Sequence, residues 1–137
     1  MTPAHQPMRY FLIDDDPDDQ EIFCLAIHDV EPTIDCIRTN DGVQALQKLN
    51  TIPHIVPHCI FIDMNMPRMN GIQCLLEIRK IDRLKDVPIY LCSTSSDPRM
   101  IAETKAMGAI DFIIKPSNIR DFTNILAAIH AGLKPSS

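Results

Sequence analysis

A chain of 137 residues, 45% of them hydrophobic, has the length and apolar content of one domain that buries its own core without a covalent staple. The formal net charge is -5, both signs are dispersed and no basic block occurs, which argues against direct nucleic-acid binding. The five cysteines are widely spaced with no Cys-x-x-Cys pair, against a disulfide framework or zinc site, and no apolar stretch approaches the ~18 residues of a membrane span, so a cytoplasmic protein with reduced thiols is expected.

Met1–Arg9 holds two prolines and no apolar core, unlike a secretory signal. Tyr10–Ile13 is a continuous apolar run, as expected of a strand covered on both faces, and it stops at Asp14, Asp15 and Asp16. Asp16 suits an N-cap, Pro17 the first helical position, and Asp18 and Asp19 the positive end of the helix dipole. Ile22, Leu25 and Ala26 are expected to line the inner side of that helix. Ile34–Arg38 has the mixed polarity of an edge strand. Asp41 can cap a second helix with Val43, Leu46 and Leu49 inward, followed by a loop over Thr51–His58.

Cys59–Ile62 is a second fully apolar run and ends at Asp63. Pro67 and Asn70–Gly71 mark a loop before a helix with Ile72, Leu75, Leu76 and Arg79 at helical spacing. Ile89–Cys92 runs into Ser93 and Thr94. Asp97–Pro98 opens a helix with Ile101 and Met107 inward and Gly108 at its end. Ile110–Ile114 is the fifth strand and leads to Lys115–Pro116. Asn118 caps a last helix with the stripe Phe122, Ile125, Leu126 and Ile129.

Five strands alternating with five helices predict an α/β fold with a doubly wound parallel sheet. In the strand order 2-1-3-4-5, strands one and three meet at the switch point, where ligands bind beyond the carboxyl ends. Asp14–Asp16 and Asp63 end those two strands. Carboxylates gathered there repel one another by roughly 4 kcal/mol per pair at ~4 Å and an effective dielectric of 20, a cost that a divalent cation removes. Oxygen ligands with room for water and a phosphate oxygen suit Mg²⁺. With a cation and the Lys115 ammonium beside it, Asp63 becomes a reasonable nucleophile toward phosphorus. Taken singly, the acidic run also reads as a solvated helix start, Asp63 as a cap and Lys115 as an exposed lysine.

The segments FLIDDDPDDQ, CIFIDMNMPRMNGIQ, PIYLCSTSSD and GAIDFIIKP, in this order, resemble the receiver domain of bacterial two-component response regulators, the CheY-like relative of the flavodoxin-like fold, from about Met8 to Ala131. The resemblance implies a stand-alone receiver domain over residues 8–132, with short flexible termini at 1–7 and 133–137. It implies that Asp63 is the phosphoacceptor. Asp14, Asp15, Asp63 and the backbone carbonyl of Asn65 would hold Mg²⁺ or Mn²⁺, and Lys115 would contact the phosphoryl group. Ser93 falls at the position of the hydroxyl that senses phosphorylation, with Thr94 adjacent. Phe112 matches the aromatic switch residue, and Asn65, Thr94 and Ser95 flank the phosphoryl group and the hydrolytic water.

The implied partners are a sensor histidine kinase or a histidine phosphotransfer protein and a downstream protein target. The face of the fourth helix, fifth strand and fifth helix offers itself to such a target or to a homodimer. No membrane or nucleic acid is implied, and no enzyme beyond one that promotes its own phosphorylation and slow dephosphorylation. A degenerate receiver serving as a phosphorylation-independent interaction module is the alternative. A haloacid-dehalogenase-type phosphatase would need a second Asp where Asn65 stands, as proton donor. A flavodoxin-like nucleotide binder would meet repulsion from Asp14–Asp16. The pair His54 and His58 suggests zinc only on a helix, which Pro53 and Pro57 break, and a solvated loop is expected there. Met64, Met66 and Met69 either offer an adaptable contact surface or fill the loop.

Overall fold

A computed structural model describes residues 8–51, 56–94 and 97–133. His54, Ser95 and the terminal residues 1–7 and 134–137 lie outside the described residues. The strands are β1 (Arg9–Ile13), β2 (Asp35–Thr39), β3 (Cys59–Asp63), β4 (Ile89–Ser93) and β5 (Asp111–Ile114), all parallel and in the order β2-β1-β3-β4-β5. The helices are α1 (Pro17–Val30), α2 (Gly42–Thr51), α3 (Gly71–Arg79), α4 (Pro98–Ala106) and α5 (Ile119–Gly132), with a 3-10 turn at Asp82–Leu84. The α/β class, the strand order and the helix count are those expected from the sequence.

The apolar runs become central strands because strand side chains alternate between faces and both faces are covered. Phe11, Ile13, Ile60, Ile62, Ile89 and Leu91 pack on one side with α2 and α3. Tyr10, Leu12, Cys59, Phe61, Cys92 and Ile113 pack on the other with α1 and α5, where Phe23 meets Phe61 and Phe122 edge-on at centroid distances of 4.8 and 5.7 Å. The edge strands β2 and β5 are only partly buried.

Helix starts follow the predicted chemistry. The Asp16 carboxylate accepts from the backbone N–H groups of Asp18 and Asp19 at 2.9 and 3.3 Å. Asp41, Asp97 and Asn118 cap their helices in the same way. Asn70, read as part of a turn, is a true N-cap: its side chain accepts from Gln73 N–H, and the Gln73 side chain accepts from Asn70 N–H, both at 2.9 Å.

The predicted inner faces need four corrections. Leu25, Val43, Leu76 and Met107 are exposed. α1 buries Phe23 and Ile27, α2 buries Ala45 and Leu49, and α3 buries Cys74 and Ile78. Leu25, Val43 and Leu76 each lie two residues from such a position, about 200° around the helix. Met107 lies past the end of α4. The strands at Ile34–Arg38 and Ile110–Ile114 also begin one residue later than predicted, because the Ile34 N–H turns back to the Glu31 carbonyl and Ile110 precedes the first paired residue of β5.

Candidate phosphoacceptor and metal site

Parallel strands end on the same edge, so β1, β3, β4 and β5 deliver Asp14, Asp63, Ser93 and Lys115 to one cleft. Asp14, Asp63 and Ser93 are buried, while Asp15 projects outward. Carboxylate oxygens of Asp14, Asp15 and Asp63 lie within 4.8 Å of one another. Ligands about 2.1 Å from an octahedral Mg²⁺ stand about 3–4 Å apart, so this all-oxygen set fits a small hard cation after minor side-chain rotation. The Asn65 backbone follows two residues after Asp63 and is tethered to it, with its N–H donating to Asp63 Oδ1 at 3.2 Å.

The Lys115 ammonium lies 3.0 Å from Asp14 Oδ2, 2.9 Å from Asp19 Oδ2 and 3.6 Å from Asp63 Oδ1. Its side chain is only 11% exposed, so these contacts are weakly screened. Asp19 is the site residue that sequence reasoning missed. By sequence it belongs to the positive end of the helix dipole, but as N3 of α1 its side chain reaches back to the sheet edge to meet Lys115, and the acidic run together with a solitary predicted lysine is the signal that points to it.

Burial pushes the Asp14 carboxyl up to about 6, and the nearby Asp63 charge adds to the rise against the Asp16 N–H and the Lys115 ammonium. Asp14 thus loses more in hydration than it regains from a lysine shared among carboxylates. Burial, then the charge of Asp63, raises Asp15 as well. For Lys115, burial pulls the pKa down, but hydrogen bonds to Asp19 and Asp14 and the charges of Asp14 and Asp63 more than offset it, and the net shift is upward.

Backbone contacts fix the frame. Gln20 Nε2 donates to the Asp14 carbonyl at 2.6 Å and to Asn40 Oδ1 at 3.0 Å, holding the loop after β1 against the loop after β2. The Lys115 N–H donates to the Ser93 carbonyl at 2.7 Å, which locks the lysine onto β4. Gly71 allows the start of α3 to approach the end of β3: a Cβ there would lie 2.8 Å from both the Asp63 carbonyl oxygen and Met64 Cα.

Asn65 Nδ2 donates to Ser93 Oγ at 3.2 Å, so the hydroxyl is already in the polar network around Asp63. Thr94 is exposed on the outer side, and Phe112 is half-buried against the core on the α3 side of the sheet. Met64 and Met66 are buried and Met69 packs on the same core, so these methionines mainly fill the loop.

The response regulator receiver domain family matches residues 10–127. A two-component response regulator of Oryza sativa, ORR13, is 32% identical over 117 residues, covering 84% of this chain and 92% of its own. The chain spans only 24% to 59% of the length of several other curated relatives. In fold it is similar to the phosphorylated cyanobacterial phytochrome response regulator RcpA (TM-score 0.83, 23% identity, 93% and 94% of the two chains covered). It is also similar to the Mn²⁺-bound response regulator Rcp1 (TM-score 0.77, 21% identity, 96% and 98% covered). A parallel sheet whose strand ends gather three aspartates, a lysine and a serine, together with a family match across most of the sequence, makes this chain a member of the response regulator receiver domain family.

Proposed function

We propose that residues 8–132 act as a phosphorylation switch in the cytoplasm, with Asp63 as phosphoacceptor. The observation that carries this reading is the placement of the Asp63 carboxylate beside Asp14 and Asp15 and 3.6 Å from the Lys115 ammonium. Asp14, Asp15, Asp63 and the Asn65 carbonyl would hold Mg²⁺ or Mn²⁺, which when bound neutralises the carboxylates and the equatorial phosphoryl oxygens.

A carboxylate oxygen of Asp63 attacks the phosphorus of a phosphohistidine on a sensor histidine kinase or a histidine phosphotransfer protein. The P–O bond forms as the P–N bond breaks, and the imidazole leaves. The Lys115 ammonium stabilises the transferred group. Ser93, already in the Asn65 network, turns its hydroxyl to a new phosphoryl oxygen. The resemblance assigns Asn65, Thr94 and Ser95 to the flanks of the hydrolytic water, and Phe112 would follow the Ser93 movement inward. The output is a changed surface on α4, β5 and α5, where Met107, Ile110, Ile114 and Ile119 stand exposed. That surface suits a downstream protein or a second copy of the chain. The protein promotes its own phosphorylation and slow dephosphorylation and turns over no other substrate.

Incubation with a small acyl phosphate and Mg²⁺, followed by peptide mapping, tests the assignment. A base-labile phosphate on Asp63 is expected, absent in Asp63→Asn and absent when a chelator precedes the donor. Equal labelling of Asp63→Asn overturns it. Steady turnover of unrelated phosphate esters favours a phosphatase, and a chain that takes no phosphate but binds its target favours the phosphorylation-independent module.

A further inference from the structure

Three contacts join α1 to β2 as successive rungs. Glu21 pairs with Arg38 at 3.3 Å, Cys24 Sγ lies 2.7 Å from Cys36 Sγ, and His28 Nε2 lies 3.2 Å from the Ile34 carbonyl oxygen. The spacing follows from the elements themselves. Glu21, Cys24 and His28 recur at i, i+3 and i+7 on one helix face, Cys36 and Arg38 recur at i and i+2 on one face of β2, and the Ile34 carbonyl lies just before that strand begins. The helix runs antiparallel to the strand, so the first residue of one set meets the last of the other. The outer rungs thereby hold the two sulfurs in line. They sit closer than van der Waals contact, and a disulfide bond requires them to approach by only about 0.7 Å more.

We propose that Cys24 and Cys36 form a redox-active dithiol site that closes to an intrachain disulfide on exposure to a hydroperoxide. The site is independent of the phosphoacceptor reading and shares no residue with it. Cys24 is buried like Cys59, Cys74 and Cys92, but its partner Cys36 lies on the partly exposed edge strand, the side from which a small oxidant would approach the pair. The environment divides the roles. The thiol hydrogen bond from Cys36, and then the Arg38 charge, hold Cys24 below the usual thiol range despite its burial. The same hydrogen bond, and then burial, hold Cys36 above it.

The Cys24 thiolate attacks one peroxide oxygen. The O–O bond breaks, Cys24 becomes a sulfenic acid and the other oxygen leaves as water with the proton lost by Cys24. Cys36 sulfur then attacks Cys24 sulfur; the S–S bond forms, the S–O bond breaks and a second water departs with the Cys36 proton. Two thiols are oxidised by two electrons and one hydrogen peroxide is reduced to two waters. The closed form ties the middle of α1 to the sheet edge.

The reduced full-length chain is treated with hydrogen peroxide, quenched with an alkylating agent under denaturing conditions and mapped by mass spectrometry without reductant. A Cys24–Cys36-linked peptide is expected, with three alkylated cysteines remaining of the five, and both changes reverse with dithiothreitol. Cys24→Ser and Cys36→Ser should each remove the linked peptide. The link should form at least about tenfold faster in the native chain than in the same chain denatured in guanidinium, because the fold pre-positions the sulfurs. Five alkylated cysteines after treatment, over-oxidation of Cys24 or Cys36 without a linked peptide, cross-links between chains, or equal native and denatured rates would each overturn the proposal.

Discussion

Asp63 stands among more negative charge than one lysine neutralises. Asp14 and Asp19 join it around Lys115, Asp15 stands beside it, and the carboxylates of Asp14, Asp15 and Asp63 lie within 4.8 Å of one another. Without a divalent cation, Asp63→Asn removes repulsion from Asp14 and Asp15 at the expense of one longer contact with Lys115. The substitution should therefore raise stability by roughly 1 kcal/mol in chelator. Millimolar Mg²⁺ should close that gap by stabilising only the wild type. Urea unfolding of both chains with and without Mg²⁺ checks the sign, and a less stable mutant in chelator would contradict it. Lys115→Met has the opposite sense. It leaves Asp14, Asp19 and Asp63 with no ammonium in a weakly hydrated cleft and should cost about 2–3 kcal/mol without cation, with a marked slowing of phosphate uptake by Asp63. Unfolding midpoints and labelling rates of the same preparation measure both.

At the scale of elements, the site depends on how closely α3 seats against the end of β3. The Gly71 N–H donates to the Met64 carbonyl at 3.1 Å, and the space for a Cβ is taken by backbone, which cannot rotate aside. Gly71→Ala should destabilise the fold by about 2 kcal/mol and displace Asp63, slowing phosphorylation, whereas Asn70→Ala should cost only ~1 kcal/mol through loss of the cap. A Gly71→Ala chain with unchanged stability and labelling would show that the loop relaxes freely.

The strand ends of the site were legible in the sequence because a buried parallel strand writes itself as an apolar run, and the residue that follows must face the switch point. The inner helix faces were less legible. Leu25, Val43 and Leu76 are as apolar as the buried Ile27, Leu49 and Leu75, and only the angle at which each helix lands on the sheet decides between them. Asp19 and the Cys24–Cys36 contact escaped for a related reason: both depend on tertiary approach between segments that carry no mark of each other.

Across the whole molecule, two titratable groups at opposite ends of the sheet should pull stability in opposite directions with pH. At the strand-start end, Arg9 N–H donates to His58 Nδ1 at 3.0 Å, and His58 N–H donates to the Arg9 carbonyl at 2.8 Å. Nδ1 must be unprotonated to accept, and burial, with the Arg9 charge second, lowers the His58 pKa. The unfolded histidine takes a proton near pH 6.5 while the folded one resists. The His58 contribution is therefore complete above about pH 6.5 and declines as pH falls through that value toward the lower folded pKa. At the other end, Asp14 is raised to about 6, so its folded form binds a proton that the unfolded chain has released. Its contribution is complete below the unfolded value, near 3.9, and is lost as pH rises through about 6. Acidification from pH 7 to 5 in metal-free buffer should thus weaken the first term and strengthen the second, each with a limiting slope of about 1.4 kcal/mol per pH unit. His58→Asn keeps an acceptor near the place of Nδ1 but does not titrate, and Asp14→Asn removes the second term. The stability of the wild type minus that of His58→Asn should fall with acidification, and the wild type minus Asp14→Asn should rise. Urea unfolding at intervals between pH 5 and 7 separates the two. Parallel curves for the wild type and His58→Asn would mean that the backbone contact at Arg9 survives protonation, and parallel curves for the wild type and Asp14→Asn would mean that Lys115 keeps Asp14 ionised throughout.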